Sequence, residues 1–183
     1  MWRAKEIESI QVNTREIDFG GIGALEHVVV GIDAGLAAIH ARIGDPEWYD
    51  GDHARDDAEP LLGLGFVAFQ TYAVPAVVDL NRIRGDRRKP KKNKLDCYSC
   101  DPVILRGGVT RIQLVNAVAN YWKHHDEWSR WPINDKDQGF YDTQTLACVG
   151  ITQETVHPCI EATNLLCGTD WKMIRCARNS CTI

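Results

Sequence analysis

Two adjacent histidines, His124 and His125, stand in the run Asn120-Tyr121-Trp122-Lys123-His124-His125-Asp126-Glu127-Trp128, which joins them to three charges and three large aromatic side chains. An imidazole exchanges protons near neutral pH, so a histidine flanked by a lysine and a glutamate suits general acid or base catalysis. Adjacent histidines do not suit a shared metal, because ligands on a helix converge when they are about four residues apart. The same residue types also suit a solvated helix end, where cations are favoured by the negative end of the helix dipole.

Helical spacing separates the run into two sides. Asn116, Asn120, Lys123, His124 and Glu127 follow steps of three and four and share one face, while Leu114, Val118, Tyr121, His125 and Trp128 share another. The two imidazoles then point about 100° apart. The polar face is the candidate site, with His124, Lys123, Asn120 and Glu127 as its catalytic residues. The apolar face reads as packing, and His125 belongs to it.

The elements that must position this polar face read as helices. From Gly20 to Ile43 the apolar residues Ile22, Leu25, Val28, Val29, Ile32, Leu36, Ile39 and Ile43 recur at helical steps, with Asp18 placed to cap the start and Gly44-Asp45-Pro46 to end it. The glycines at 20, 21, 23, 31 and 35 lower helix propensity but let another helix come close. A second long helix is expected from about Ala54 to Ile83, with a kink or break near Thr71 to Tyr72 imposed by Pro75. A third runs from Val109 to about Trp128, capped by Thr110 and stopped before Trp131-Pro132. Two shorter helices follow over 142–151 and 155–166. The fold class is all-α, an antiparallel bundle of four to six helices in one domain over 1–183, with its core in about 18–168 and a tail, 169–183, of unassigned structure.

Between the second and third long helices lies a basic segment holding Arg82, Arg84, Arg87, Arg88, Lys89, Lys91, Lys92 and Lys94 against one acid, Asp86. A solvated loop explains it, and so does a loop that contacts phosphate through Arg84, Arg87, Arg88, Lys89, Lys91 and Lys92. The net charge of −4 excludes binding nucleic acid with the whole surface and leaves room for such a local patch. No run approaches the roughly 20 consecutive apolar residues of a membrane span, and no signal-type segment opens the chain, so the expectation is a cytoplasmic protein without a membrane role. Seven cysteines, an odd number, are then expected as reduced thiols. Cys97 and Cys100 have the CxxC spacing of a structural zinc site, with Cys176, Cys181, His157 and Cys159 as the remaining ligand candidates. No cofactor is expected, a structural zinc being the alternative.

A helical bundle with an Asn-x-x-Lys-His cluster near the end of a late helix resembles the HEPN superfamily, whose bacterial members include toxin and defence ribonucleases. The motif of that family is an arginine separated by four to six residues from a histidine, often with a polar residue directly after the arginine. His124 matches the histidine and Asn120 the polar position. Ala119, Val118 and Ala117 occupy the places open to the arginine, so the resemblance is to an inactive, divergent or substituted member. It covers residues 18 to 130 and implies a homodimer, an RNA substrate, metal-independent cleavage and a role in a toxin or antiphage system. The competing reading is a non-catalytic helical module that binds a partner protein, for which six tryptophans supply interface anchors.

Overall fold

The computed structural model describes residues 22–83, 93–128, 130–168 and 173. Among these it contains six α-helices and no strand: α1 (Ile22–Ala41), α2 (Gly51–Ile83), α3 (Lys94–Tyr98), α4 (Arg111–His124), α5 (Phe140–Cys148) and α6 (Pro158–Cys167). The all-α class read from the periodicity is therefore the observed one. Asp18, the segment 84–92 with Arg84, Arg87, Arg88, Lys89, Lys91 and Lys92, and the cysteines at 176 and 181 lie outside the described residues.

Local chemistry explains where the helices start. Asp50 begins α2 three residues ahead of the expected Ala54, because its carboxylate accepts from the amides of Asp52 and His53 at 3.0 and 3.1 Å. Thr110 caps α4 as its position suggests, in a reciprocal box with Gln113: the Gln113 amide donates to the threonine hydroxyl and the Thr110 amide to the glutamine oxygen. Asn93 and Asp96 make the same box at the start of α3. Gly139, at φ 83°, turns the chain into α5 ahead of the expected start at Asp142. Pro158 opens α6, where a missing amide costs nothing. Helix α2 runs on past both Pro60 and Pro75, so that of the kink or break expected near Thr71 to Tyr72 the break does not occur, and α4 ends at His124, earlier than expected, passing into a single 3-10 turn over His125–Glu127.

Helix α2 is the hub. It packs on α1, α4 and α6, and α4 in turn packs on α5 and α6. One apolar core joins them, with Val29, Ile32 and Leu36 from α1, Leu62 and Phe66 from α2, Leu114 and Val118 from α4, Leu146 from α5 and Ile160 from α6. Met173 belongs to it as well: it is fully buried, and its amide donates to Asp33 of α1 at 2.7 Å. Buried polar pairs lock the periphery. Glu59 of α2 accepts from the first free amides of α6, those of Cys159 and Ile160, at 2.7 and 3.0 Å. Arg111, buried at the start of α4, makes two bonds to the Asp101 carboxylate, which removes it from any role near His124.

Helix α1 is covered on one stripe only. The window Gly23–Ala41 has mean hydropathy 1.3 and is 17% buried, so by length and composition it is apolar enough to cross a membrane. The window holds Glu26 and Asp33, so it is not a run of consecutive apolar residues.

Of the α1 glycines, Gly35 permits the expected close approach, since a Cβ there would lie 2.9 Å from Leu61, whereas Gly31 faces open space. A tighter approach lies between α2 and α4. Gly63 of α2 receives the Trp122 ring of α4, and a Cβ would fall 2.2 Å from Trp122 Cδ2. Gly63→Ala should therefore lower the unfolding free energy by about 1–3 kcal/mol through overpacking, against the gain of up to about 1 kcal/mol that alanine brings to a helix. Gly31→Ala, which meets nothing within 4 Å, should keep that gain. Urea denaturation of the two variants measures the contrast, and equal effects at both sites would contradict the packing described.

Candidate functional site

Helix α4 carries its polar stripe to the interface with α2, and there one glutamine gathers it. Gln70 lies on the buried stripe of α2, one turn beyond Phe66. Its Nε2 donates to Asn116 Oδ1 at 2.9 Å and to Asn120 Oδ1 at 2.8 Å, and its Oε1 accepts from Lys123 Nζ at 2.7 Å. The Asn120 amide nitrogen then donates to both oxygens of Asp142, on α5, at 3.1 and 3.2 Å. Asn116 reaches the same carboxylate at 3.5 Å. Three helices meet in one polar cluster of five side chains.

The charges in this cluster are displaced from their ordinary states. Burial pushes the Asp142 carboxyl up, while the Asn120 bond and the charges of Lys94, Lys123 and His124 pull in the other direction without cancelling it. Burial also pushes the Lys123 ammonium down, assisted by the like charge of Lys94 and opposed by Asp142. Opposite displacements in neighbouring groups are a mark of functional sites, although structural networks show them too. Lys94, the last residue of the basic segment, is the first of α3.

His124 sits at the edge of this arrangement. Its Nδ1 is 3.2 Å from Glu127 Oε2, and both side chains are partly open to solvent. An ionised carboxylate only accepts, so the contact assigns the proton to Nδ1 and leaves a lone pair on Nε2 in the neutral ring. Nε2 makes no hydrogen bond among the described residues. His125 does the opposite work. It stacks on Tyr121 with ring centroids 4.9 Å apart and on Trp122 at 5.6 Å, and its Nδ1 lies 3.2 Å from the carbonyl oxygens of both residues. Burial pushes the Tyr121 phenol up to about 12, in keeping with a packing role.

Of the four residues expected to act together, Lys123 and Asn120 share the cluster, and His124 with Glu127 forms a separate pair beside it. Asn120 commits both ends of its amide inside the protein, which makes it a positioning group. Gln70 and Asp142 were not among the expected residues. Gln70 could have been found from the α2 pattern, where a glutamine one turn past Phe66 on a buried stripe must find partners. Asp142 carried no such signal, because an acid in the first turn of a helix is ordinary.

The cysteines divide differently from expectation. Cys97, Cys100, Cys148 and Cys159 are thiols, but Cys167 is disulfide-bonded, against the reduced thiols expected throughout. Among the described residues no three histidine, cysteine or acidic side chains are gathered in a way that would hold a metal. Cys100 instead donates to the Asp96 carbonyl. Burial, with Glu59 beside it, pushes the Cys159 thiol well up, so its nearness to His157 does not make it a nucleophile.

The raised Asp142 carboxyl has a definite consequence for stability. A group that binds its proton more tightly in the folded chain contributes most below its unfolded pKa and progressively less as pH rises from 3.8 through the folded value. Asp142→Asn removes this dependence. Urea midpoints of the native chain and the variant, compared from pH 3.8 toward neutrality, should shift in favour of the variant as pH rises; a difference independent of pH would refute the displacement.

Comparison of the chain with family models, with curated proteins and with solved structures finds no match.

Proposed function

We propose that the protein acts on RNA and cleaves it without a metal ion, as a homodimer of HEPN-like build. The observation that carries this reading is His124, held through Nδ1 by Glu127 with Nε2 open, one residue from a lysine. Nε2 accepts the proton of a ribose 2′-hydroxyl. The 2′-oxygen then bonds to phosphorus, the bond to the 5′-oxygen breaks, and the leaving oxygen takes a proton from a second histidine, supplied by the other copy of the chain. The products are a 2′,3′-cyclic phosphate and a 5′-hydroxyl. Lys123 stabilises the negative charge that grows on the phosphoryl oxygens, and Gln70 and Asn120 hold Lys123 and Asp142 in place. The basic segment, with Arg84, Arg87, Arg88, Lys89, Lys91 and Lys92, holds the backbone of the substrate and makes binding depend on salt. A role in a toxin or antiphage system belongs to the same reading.

A second reading has an observation of its own. Helix α1 presents Val28 and Val30 at 46% and 50% exposure, which favours an interaction module that covers this helix with a partner and has no catalytic step.

One assay separates the two. Total RNA incubated with the purified chain in EDTA should be cleaved, and His124→Ala should reduce the rate by about 10²–10⁴-fold, the usual weight of general acid and base catalysis. Lys123→Ala should lower it by up to about 10²–10³-fold. Intact RNA under all conditions would leave the interaction module standing, and undiminished cleavage by His124→Ala would remove that residue from the mechanism.

A further inference from the structure

A cavity of about 400 Å³ opens between α2, α6 and the loops at the far end of α5. It shares no residue with the His124 region. Arg55 of α2 and Arg106 of the 3-10 turn before α4 line it, together with Glu161 and Leu165 of α6, Ile151 of the connecting loop and His157 at the head of α6.

The charged groups of this cavity are unusual in the molecule. Arg42, Arg111 and Arg130 each hold a carboxylate, those of Asp57, Asp101 and Asp137. Arg55 and Arg106 are the two arginines with described side chains that hold no carboxylate, and both face the cavity. Glu161 lines the same space, and among the described residues no arginine forms an ion pair with it. His157, by contrast, is engaged with Asp56 through Nε2 at 2.9 Å, and the free amides at the head of α6 are taken by Glu59. The positive character of the cavity therefore comes from the two guanidinium groups and not from the helix end.

Position reinforces the point. Gly150, at φ 90°, lets the Arg106 guanidinium lie against the chain, where a Cβ would be 3.2 Å from Arg106 Nη1. Gly107 packs against the Cys148 carbonyl so closely that a Cβ would fall 2.2 Å from its oxygen, which seats the turn bearing Arg106 on the end of α5. Arg55 comes from a helix on another side. Planar guanidinium groups from two elements match the oxygens of a phosphate, while Ile151 and Leu165 offer apolar surface and Glu161 an acceptor. The volume falls within the usual range for small-molecule sites.

We propose that this cavity binds a small phosphate ester of nucleotide size, with Arg55 and Arg106 on the phosphate and Glu161 accepting from a donor group on the body of the ligand. The assignment is independent of RNA cleavage. Isothermal titration of the full chain with adenosine monophosphate, inorganic phosphate and adenosine tests it. Saturable binding is expected for the monophosphate, weaker binding for inorganic phosphate, and none for adenosine. The double variant Arg55→Gln/Arg106→Gln should lose affinity for the monophosphate by at least about tenfold, as two charge-assisted bonds are removed, with its far-ultraviolet circular dichroism unchanged. Arg130→Gln, which alters an arginine outside the cavity, should leave that affinity intact. Absence of binding by both phosphate-bearing probes, equal binding of adenosine, or undiminished affinity in the double variant would overturn the assignment.

Discussion

A buried glutamine sets the terms for the rest of the structure. The Gln70 amide lies in the interface between α2 and α4, where an unmatched polar group costs about 1–3 kcal/mol. It has two hydrogens and a carbonyl oxygen to satisfy, and α4 meets each of them: Asn116 and Asn120 take the hydrogens and Lys123 donates to the oxygen. These three residues stand at steps of four and three along α4, so a slide of one turn along α2 would break at least one bond and strand its partner. Hydrophobic contacts alone tolerate such slides. The polar cluster fixes the register of the two helices, and by passing its last donor to Asp142 it fixes α5 as well.

Close packing supplies the complementary constraint. Gly63 stands seven residues before Gln70 on α2, and the Trp122 ring occupies the space its missing side chain leaves. Trp122 and Tyr121 in turn hold His125 between their rings. One helical step separates His125 from His124, and that step carries the other imidazole away from the aromatic layer toward Glu127. The packing of α4 on a glycine thus decides which histidine is structural and which is left with an open nitrogen. The end of α4 follows from the same place, because the chain tightens into a 3-10 turn over His125–Glu127 and brings the glutamate back within reach of His124.

Much of this was legible in the residues, and what was not has physical reasons. The helical class, the cap at Thr110 and the division between His124 and His125 follow from periodicity and from local hydrogen bonding, which a sequence carries directly. Of the kink or break expected at Pro75 the break did not occur, and α2 stays helical to Ile83. The starts of α5 and α6 were misplaced because Gly139 and Pro158 act through backbone geometry that side-chain patterns do not report. Gln70 and Asp142 are 72 residues apart in the chain, and no local signal joins them. Their meeting depends on the register of three helices. The disulfide at Cys167 escaped for a similar reason, because counting thiols says nothing of which ones the fold brings together.

The two polar regions that α2 helps to build differ in their balance of charge. Where α2 meets α6, each acid answers one requirement: Asp56 pairs with His157, and Glu59 accepts from the two free amides of the helix. Where α2 meets α4 and α5, one carboxylate, Asp142, is faced by Lys94, Lys123 and His124, and burial has displaced both Asp142 and Lys123 toward their neutral forms. Burial acts against the charge of both groups, and the cations that face Asp142 offset it there only in part, so the hydrogen bonds through Gln70 and Asn120 are what keep the pair in the interface.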